Sequence, residues 1–205
     1  MLNKIKETAE FIKGIIKETP DFAIVLGSGL GALKNEVEPI HTLEYSEIPN
    51  FPQTTVVGHG GKLIYGNLEG KKVLMMSGRF HYYEGHDIKT VVFPFRVFHA
   101  LGIKNLIVSN ASGGVNKDFR VADVMIIRDH INMMPEHPLR GKNIDAFGPR
   151  FVDMSEPYSR KMIEIAEKVA AEKGIKVHQG VYVALQGPTF ETPAEYGLVK
   201  AIGGD

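Results

Sequence analysis

Residues 77–87, with the sequence SGRFHYYEGHD, form the densest group of side chains that could act in binding or catalysis. They follow a predicted strand, at the position where an α/β sheet presents its ligand groups. Arg79 and His81 occupy alternate positions of an extended chain, so their side chains point the same way. A guanidinium and an imidazole on one side can bind an oxyanion, and the guanidinium can do so with two hydrogen bonds. The segment therefore predicts an anion site.

Two alternatives apply to this segment, which also contains Glu84, His86 and Asp87. A metal site is disfavoured because the spacing is H-x-x-E-x-H, not the H-x-x-E-H of a zinc motif, and because Gly85 would weaken the helix that such ligands need. A structural ion pair between Arg79 and Glu84 in a solvated loop is the second alternative. The anion site is preferred because the segment VGHGG, which contains His59, also ends a strand-like run.

A glycine-rich segment, GSGLGA at residues 27–32, follows an apolar run and matches the dinucleotide fingerprint G-x-G-x-x-A. A nicotinamide site would need a second βαβ unit with an acidic residue about 20 residues further on. That region reads HTLEYSEIPNFP, where Pro49 and Pro52 predict a loop. The remaining interpretations are a cradle in which the Ser28 hydroxyl and nearby N–H groups bind a phosphate, and a tight turn that packs strand to helix.

Two further segments follow predicted strands, NASGG at residues 110–114 and GPTFET at residues 187–192. The small residues of the first let a ligand approach the backbone. In the second, Phe190 offers a stacking face and Glu191 can accept hydrogen bonds from ring N–H or amino groups. For that segment alone, a core Phe beside a helix-capping Glu is slightly favoured. Convergence of all these segments at strand ends nevertheless predicts a site for phosphate and a heterocycle.

The elements that would position these segments alternate between strands and helices. An amphipathic helix ends before Pro20, and a hairpin joins the strand-like runs at residues 62–65 and 72–76. Ser155 is the predicted N-cap of a helix that includes Tyr158. The remaining strands are predicted at residues 22–26, 105–109, 124–127 and 177–185, the other helices before residue 101 and from Pro193, and a long excursion at residues 133–149. The pattern predicts an α/β fold, a single domain with a mixed central β-sheet flanked by helices.

The composition narrows the functional classes. The 205 residues contain 24 Lys and Arg and 24 Asp and Glu, so no net field attracts nucleic acid or an anionic membrane, and an anion site must be local. The absence of cysteine excludes a disulfide scaffold, a thiol nucleophile and cysteine-ligated zinc. Charges interrupt the apolar positions of the N-terminal segment, which therefore predicts a surface helix and not a signal peptide or membrane span. A cytoplasmic location is expected.

The segments together resemble, in their order and in their amino-acid sequence, the trimeric-type purine nucleoside phosphorylases of the nucleoside phosphorylase family. The resemblance is carried by LGSGLG, GHGGKLIYG, SGRFHYYEGH, SNASGGVN, FGPRFVDMSEPYS and QGPTFETPAEY. It implies reversible phosphorolysis of purine ribonucleosides or deoxyribonucleosides, in which phosphate displaces the base at the sugar C1′, and a role in purine salvage. It also implies a fold of the nucleoside phosphorylase type.

The resemblance further implies roles for individual residues. Phosphate would be bound by Ser28, His59, Arg79, His81 and the backbone at Ala111. Tyr83 would contact the sugar, with Glu84 a neighbour in the same site. Ser112, Gly113, Phe190 and Glu191 would hold the base. His81, Glu84 and Glu191 are the residues expected to be catalytic.

The resemblance extends to partners. Phe151, in FGPRF, corresponds to the aromatic residue that this family lends to a neighbouring subunit's sugar site, so a homotrimer is implied. No metal or organic cofactor is needed, and inorganic phosphate is the co-substrate. The methylthioadenosine phosphorylases are the nearest alternative, but their sequence at the position of GPTFET lacks the glutamate. Glu191 therefore favours 6-oxopurine nucleosides such as inosine and guanosine.

One departure from the family concerns its later strands and helices. Family members continue beyond the helix that begins near Pro193 into segments with further sugar and base contacts. The expectation is thus a single nucleoside phosphorylase domain over residues 1–205 that lacks those segments. The alternative from another class is a non-catalytic fragment that retains a phosphate site.

Overall fold

The structure, a computed structural model, describes residues 1–52 and 61–205. His59 lies outside the described residues, so its assignment to the phosphate stays a prediction. The chain divides into two compact units, Met1–Ala111 and Ser112–Asp205, which are described separately. The prediction of one domain over residues 1–205 also stays a prediction.

The first unit contains five strands and three α-helices in its described part. In chain order they are α1 (Leu2–Ile15), β1 (Phe22–Val25), β2 (Glu38–Glu44), β3 (Lys62–Leu68), β4 (Lys71–Ser77), α2 (Ile88–Val91), α3 (Phe93–Ala100) and β5 (Asn105–Val108). Short 3-10 helices cover Gly31–Glu36, Tyr45–Glu47 and Tyr82–Glu84.

The sheet of the first unit has the strand order β2-β3-β4-β1-β5. β1 runs parallel to β4 and β5, whereas β3 runs antiparallel to β2 and β4. The mixed sheet that the sequence predicts is therefore confirmed. Val25 is in register with Met76 of β4 and Val108 of β5, so these three strands end at one edge of the sheet.

The hairpin between β3 and β4 is confirmed, with a turn at Glu69 and Gly70. Both residues have positive φ values, 48° and 74°. Two consecutive positive φ angles match the right-handed twist of the flanking strands, which explains the glycine at the second position.

The core of this unit lies on both sides of the sheet's centre and under two helices. Met75 and Leu74 of β4 are almost wholly buried, as is Leu63 of β3. On α1, the predicted apolar face is confirmed, since Ile5 and Ile12 are inaccessible to solvent. α1 packs against α3 and so anchors the helix that follows the polar segment at residues 77–87.

The sequence predicts no strand at β2, and it predicts a loop over residues 41–52. β2 is an edge strand, and five of its seven residues are exposed. An edge strand that faces water needs no alternating apolar pattern, so the usual sequence signal for a strand is weak there. The prediction of a loop over residues 41–52 is wrong for residues 41–44, which belong to β2.

The second unit contains a two-stranded parallel sheet and two α-helices. The strands are β6 (Val124–Asn132) and β7 (Val177–Ala184), and the helices are α4 (Arg160–Glu172) and α5 (Pro193–Ala201). β6 is longer than predicted and is interrupted by a register shift between Ile127 and Asp129.

The start of α4 corrects one prediction. The N-cap is Ser159, whose Oγ accepts a hydrogen bond from the Met162 N–H, and not Ser155. Ser155 instead donates both its backbone N–H and its hydroxyl to Asp153 Oδ1, at 2.9 and 2.6 Å. This local turn satisfies Ser155 outside the helix. Because α4 begins at Arg160, Tyr158 also lies before it.

Within the described ranges, no helix is both long enough and apolar enough to cross a membrane.

Candidate active site

The glycine-rich turn after β1 packs directly against the residue after β5. A Cβ atom on Gly27 would lie 2.2 Å from the Ser109 carbonyl oxygen, so a side chain cannot fit there. Ser28 follows on the exposed surface, and Gly29 has a φ of 85°. The segment then enters the 3-10 helix Gly31–Glu36, and the next strand is antiparallel to its neighbour. A dinucleotide fold needs an α-helix and a parallel strand at these places, so the structure argues against it too.

Arg79 lies two residues beyond β4, where it reaches the end of β5. Its Nη1 donates a hydrogen bond of 2.7 Å to the Ser109 carbonyl oxygen. Gly78, with a φ of 97°, makes the turn that leads into Arg79. The guanidinium is therefore held at the same sheet edge as the glycine-rich turn.

Tyr45 fixes the turn at Gly78. Its hydroxyl donates a 2.7 Å hydrogen bond to the Gly78 carbonyl oxygen, and its ring packs between those of Phe51 and Phe80. Burial raises the pKa of Tyr45 far above its usual value, so the hydroxyl stays protonated. A Cβ on Gly61 would collide with the Tyr45 ring, which accounts for the last glycine of GHGG.

His81 stacks on Tyr83, with ring centroids 4.7 Å apart and planes inclined by 17°. Burial lowers the pKa of His81 from its ordinary value of 6.5, the positive charge of Arg79 lowers it further, and Glu84 opposes both. The imidazole is therefore neutral at pH 7, and one of its nitrogens carries a proton to donate. Tyr83 is half exposed and gives the pair a face toward solvent.

Glu84 is tied into the same short helix. Its Oε1 accepts a 3.2 Å hydrogen bond from the His81 N–H, and its Oε2 lies 4.0 Å from the His86 Nε2. Only 6% of the Glu84 side chain is exposed. His86 is mostly buried as well, with its ring edge-on to Phe80 at 5.9 Å. A carboxylate is thus placed beside the imidazole of His81 without pointing into bulk water.

Asp87 has a structural role. It caps α2, since its carboxylate accepts the Thr90 N–H at 2.8 Å and the Thr90 hydroxyl at 3.1 Å. The backbone hydrogen bond from Thr90 is the main reason why the pKa of Asp87 lies below its usual value. Of the polar residues in this segment, Asp87 therefore belongs to the scaffold.

The segment NASGG spans the division between the units. Ala111 ends the first unit, and Ser112 and Gly113 begin the second. All three are exposed. In the second unit, a Cβ on Gly113 would lie 3.3 Å from the Tyr196 hydroxyl oxygen on α5. Gly113 is therefore close to the helix that the GPTFET segment leads into.

Phe190 and Glu191 immediately precede the cap of α5. Phe190 is 91% exposed, so it is not a core residue. The cap is Thr192, whose Oγ1 accepts the Glu195 N–H while the Glu195 carboxylate accepts the Thr192 N–H. Glu191 therefore does not cap the helix. Both structural roles that the sequence left open for this pair are excluded.

Phe151 lies on the surface of the second unit with 88% of its area exposed, together with the exposed Val152 and Met154. Arg150, which precedes Phe151, anchors the long loop at residues 133–149. Its Nη1 donates to the carbonyl oxygens of Leu139 and Gly141 at 3.1 and 2.6 Å. An aromatic ring on an anchored loop is thus presented to solvent.

The first unit brings together Ser28, Arg79, His81, Tyr83, Glu84 and Ala111, because their segments follow neighbouring parallel strands. The second unit holds Ser112, Gly113, Phe151, Phe190 and Glu191. Sequence reasoning missed Tyr45 and Ser109. Ser109 carried a signal, a polar residue at the end of an apolar strand. Across residues 1–52 and 61–205, no group of three or more His, Asp or Glu side chains could hold a metal ion.

Comparison with known proteins gives matches along the chain. The family described as the phosphorylase superfamily matches residues 21–205. Purine nucleoside phosphorylase 1 of Geobacillus stearothermophilus is 51% identical over 201 residues, which cover 98% of this chain and 73% of that protein.

Two solved structures superpose on all of this chain. A purine nucleoside phosphorylase in complex with ribose-1-phosphate has a TM-score of 0.95 and 45% identity, and this chain covers 77% of it. A schistosoma purine nucleoside phosphorylase in complex with hypoxanthine has a TM-score of 0.94 and 44% identity, with 74% covered.

The electrostatics of His81 give a prediction. We expect its pKa in the free protein to lie below 6.5, because burial and Arg79 both disfavour the imidazolium. Replacement of Arg79 by Met should raise this pKa, and replacement of Glu84 by Gln should lower it further. The measurement is a proton NMR titration of the ring, assigned by the signal lost in His81→Gln.

Lys71→Met is the matched control, since Lys71 lies at the opposite end of β4 from Arg79 and its charge is screened over that distance. An His81 pKa at or above 6.5, or an equal effect of Lys71→Met and Arg79→Met, would contradict this account.

Proposed function

The chain belongs to the phosphorylase superfamily, and we propose that it cleaves 6-oxopurine nucleosides, such as inosine and guanosine, with inorganic phosphate. The reaction is the reversible phosphorolysis of purine nucleosides. A phosphate oxygen forms a bond to the sugar C1′ as the bond from C1′ to the purine nitrogen breaks, and the products are the free base and the sugar 1-phosphate. The observation that carries the proposal is the meeting of Arg79 and the glycine-rich turn at one sheet edge, in a chain with purine nucleoside phosphorylases as relatives.

We assign the phosphate to Ser28, Arg79, His81 and the backbone at Ala111, and His59 remains a candidate. The guanidinium supplies charge and parallel N–H donors. Neutral His81 supplies one further N–H without the cost of burying a second cation beside Arg79. In this assignment, phosphate accepts hydrogen bonds from segments that follow three strands. Its negative charge stabilises the positive charge that develops at C1′ in the transition state.

We assign the sugar to Tyr83 and place Glu84 in the same site. The Tyr83 ring is half exposed and stacked on His81, next to the proposed phosphate. The buried Glu84 carboxylate accepts the His81 N–H, which supports a role in holding the short helix that presents both rings. Its negative charge also favours an oxocarbenium-like sugar over the neutral nucleoside.

We assign the base to Phe190 and Glu191, with Ser112 and Gly113 as lining residues. An aromatic ring that is 91% exposed, although large and apolar, is explained by a ligand that stacks on it. Glu191 neither caps α5 nor is fully exposed, so its carboxylate can accept the ring N–H that 6-oxopurines carry and adenine lacks. This hydrogen bond strengthens as negative charge builds on the departing base.

We further propose a homotrimer in which Phe151 completes the sugar site of a neighbouring subunit. The support is the apolar surface strip of Phe151, Val152 and Met154, held out by the anchored loop. The reaction needs no metal or organic cofactor, because phosphate and the residues above supply the charge stabilisation. We also propose a cytoplasmic location and a role in purine salvage. The location is supported by the sequence, which contains no cysteine for the disulfides that are common in oxidising compartments.

Inosine cleavage tests the function. We expect hypoxanthine and ribose 1-phosphate in equal amounts when the protein is incubated with inosine and phosphate, and no hypoxanthine without phosphate. Chromatography measures both products. Binding of phosphate without product would identify a non-catalytic phosphate-binding chain, and faster cleavage of 5′-methylthioadenosine or adenosine than of inosine would refute the 6-oxopurine preference.

Glu191→Ala tests the base site. Loss of a hydrogen bond to a charged group costs about 1.5–3 kcal/mol, so kcat/KM for inosine should fall by about 10- to 150-fold. The phosphate Kd from calorimetry should stay unchanged, since Glu191 is not assigned to phosphate. Glu164→Ala, which removes an exposed carboxylate from α4, is the control and should change neither quantity. Equal losses of inosine cleavage and phosphate affinity in Glu191→Ala would refute the assignment.

Phe151→Ala tests the trimer. We expect the native protein to sediment at three times the 22.7 kDa mass of the chain, and Phe151→Ala to raise the KM for inosine but not for phosphate. Phe151→Ala and Arg79→Ala proteins, unfolded and refolded together, should regain activity, because a subunit with intact Arg79 then receives Phe151 from its neighbour. No recovery in the mixture would mean that Phe151 acts within its own subunit or not at all.

A further inference from the structure

Ser109 is the residue at which the proposed phosphate segments of the first unit are connected. It directly follows β5, and its backbone N–H continues the strand pairing by donating to the Val25 carbonyl oxygen at 3.1 Å. Its hydroxyl and its carbonyl oxygen make separate contacts, one to the turn after β1 and one to the segment after β4.

The Ser109 hydroxyl holds the start of the glycine-rich turn. Oγ accepts a 2.9 Å hydrogen bond from the Gly27 N–H and donates to the Val25 carbonyl oxygen at 3.3 Å. Gly27 is buried, so without this acceptor its N–H would be unsatisfied. The hydroxyl therefore fixes the point from which Ser28 leaves the sheet.

The Ser109 carbonyl oxygen holds the guanidinium. It accepts the Arg79 Nη1–H at 2.7 Å, and the same oxygen is the atom that a Cβ on Gly27 would approach to 2.2 Å. The turn after β1 and the side chain after β4 therefore both rest on one peptide group. Ala111, the third proposed phosphate contact, is only two residues further along the chain.

We propose that Ser109 is a positioning residue for phosphate: its hydroxyl and carbonyl oxygen set the distance between Ser28, Arg79 and the Ala111 backbone. This inference deepens the proposed function and rests on its assignment of phosphate to these groups. Ser109 does not touch phosphate in this arrangement. It lowers the cost of binding by keeping the donors in place before phosphate arrives.

The hydroxyl is not required for strand pairing. The backbone hydrogen bond from Ser109 to Val25 would remain after loss of the side chain oxygen, as would the register of β1 and β5. A purely structural role would therefore affect overall stability, whereas a positioning role affects phosphate affinity in particular.

Ser109→Ala tests the proposal. We expect the phosphate Kd, measured by calorimetry with inorganic phosphate alone, to rise about tenfold, or by about 1.4 kcal/mol, because the turn that carries Ser28 is no longer held in place before phosphate arrives. The KM for phosphate should rise in parallel, and the KM for inosine should not. Asn105→Ala is the matched control, because Asn105 Nδ2 joins the opposite ends of the same two strands through the Asp21 carbonyl oxygen at 3.0 Å. It should leave the phosphate Kd unchanged.

A second pair of variants guards against a folding defect. The side chains in Ser109→Thr and Ser109→Val have the same shape as each other, but only the threonine keeps the hydroxyl. The Ser109→Thr protein should therefore bind phosphate more tightly than the Ser109→Val protein. Equal phosphate affinity in this pair, or equal weakening by Ser109→Ala and Asn105→Ala, would overturn the proposal. Because phosphate binding is read without turnover, a native protein that binds phosphate but releases no hypoxanthine would refute the proposed function alone.

Discussion

The parallel alignment of β4, β1 and β5 is the constraint on which the candidate site depends. Val25 stands level with Met76 and Val108, so three chain segments leave the sheet side by side at one edge. This closeness requires a residue without a side chain at position 27 and gives Arg79 a backbone carbonyl to bind. Segments that are 30 and 82 residues apart in the sequence thereby meet at one edge of the sheet.

The charges at this edge are arranged so that one full positive charge stands beside neutral and negative groups. Arg79 keeps its charge, and it helps to hold His81 in the neutral form, while Glu84 limits that effect. The arrangement suits a reaction in which an anion enters and a cation develops on the sugar, because the site supplies donors to the first without repelling the second. A second fixed cation would bind phosphate more tightly but would disfavour the oxocarbenium-like transition state.

The type and order of most elements could be predicted from the sequence, because apolar periodicity and turn residues are local signals. The hairpin at Glu69 and Gly70 and the helix α1 are examples. The failures have physical reasons. β2 is an exposed edge strand without an apolar face, and Ser155 and Ser159 are both plausible caps until Asp153 is seen to bind the first. Ser109 and Tyr45 act through contacts between distant segments, which no single stretch of sequence displays.

Tyr45 makes the shape of the turn at Gly78 independent of the charges in residues 77–87. Burial holds the pKa of its hydroxyl well above the ordinary value, so the hydroxyl stays protonated and donates to the Gly78 carbonyl oxygen. The turn that leads into Arg79 is thus held by a group whose protonation is independent of that of His81. Protonation of His81 would therefore change the charge at this edge of the sheet without removing the hydrogen bond that holds the turn at Gly78.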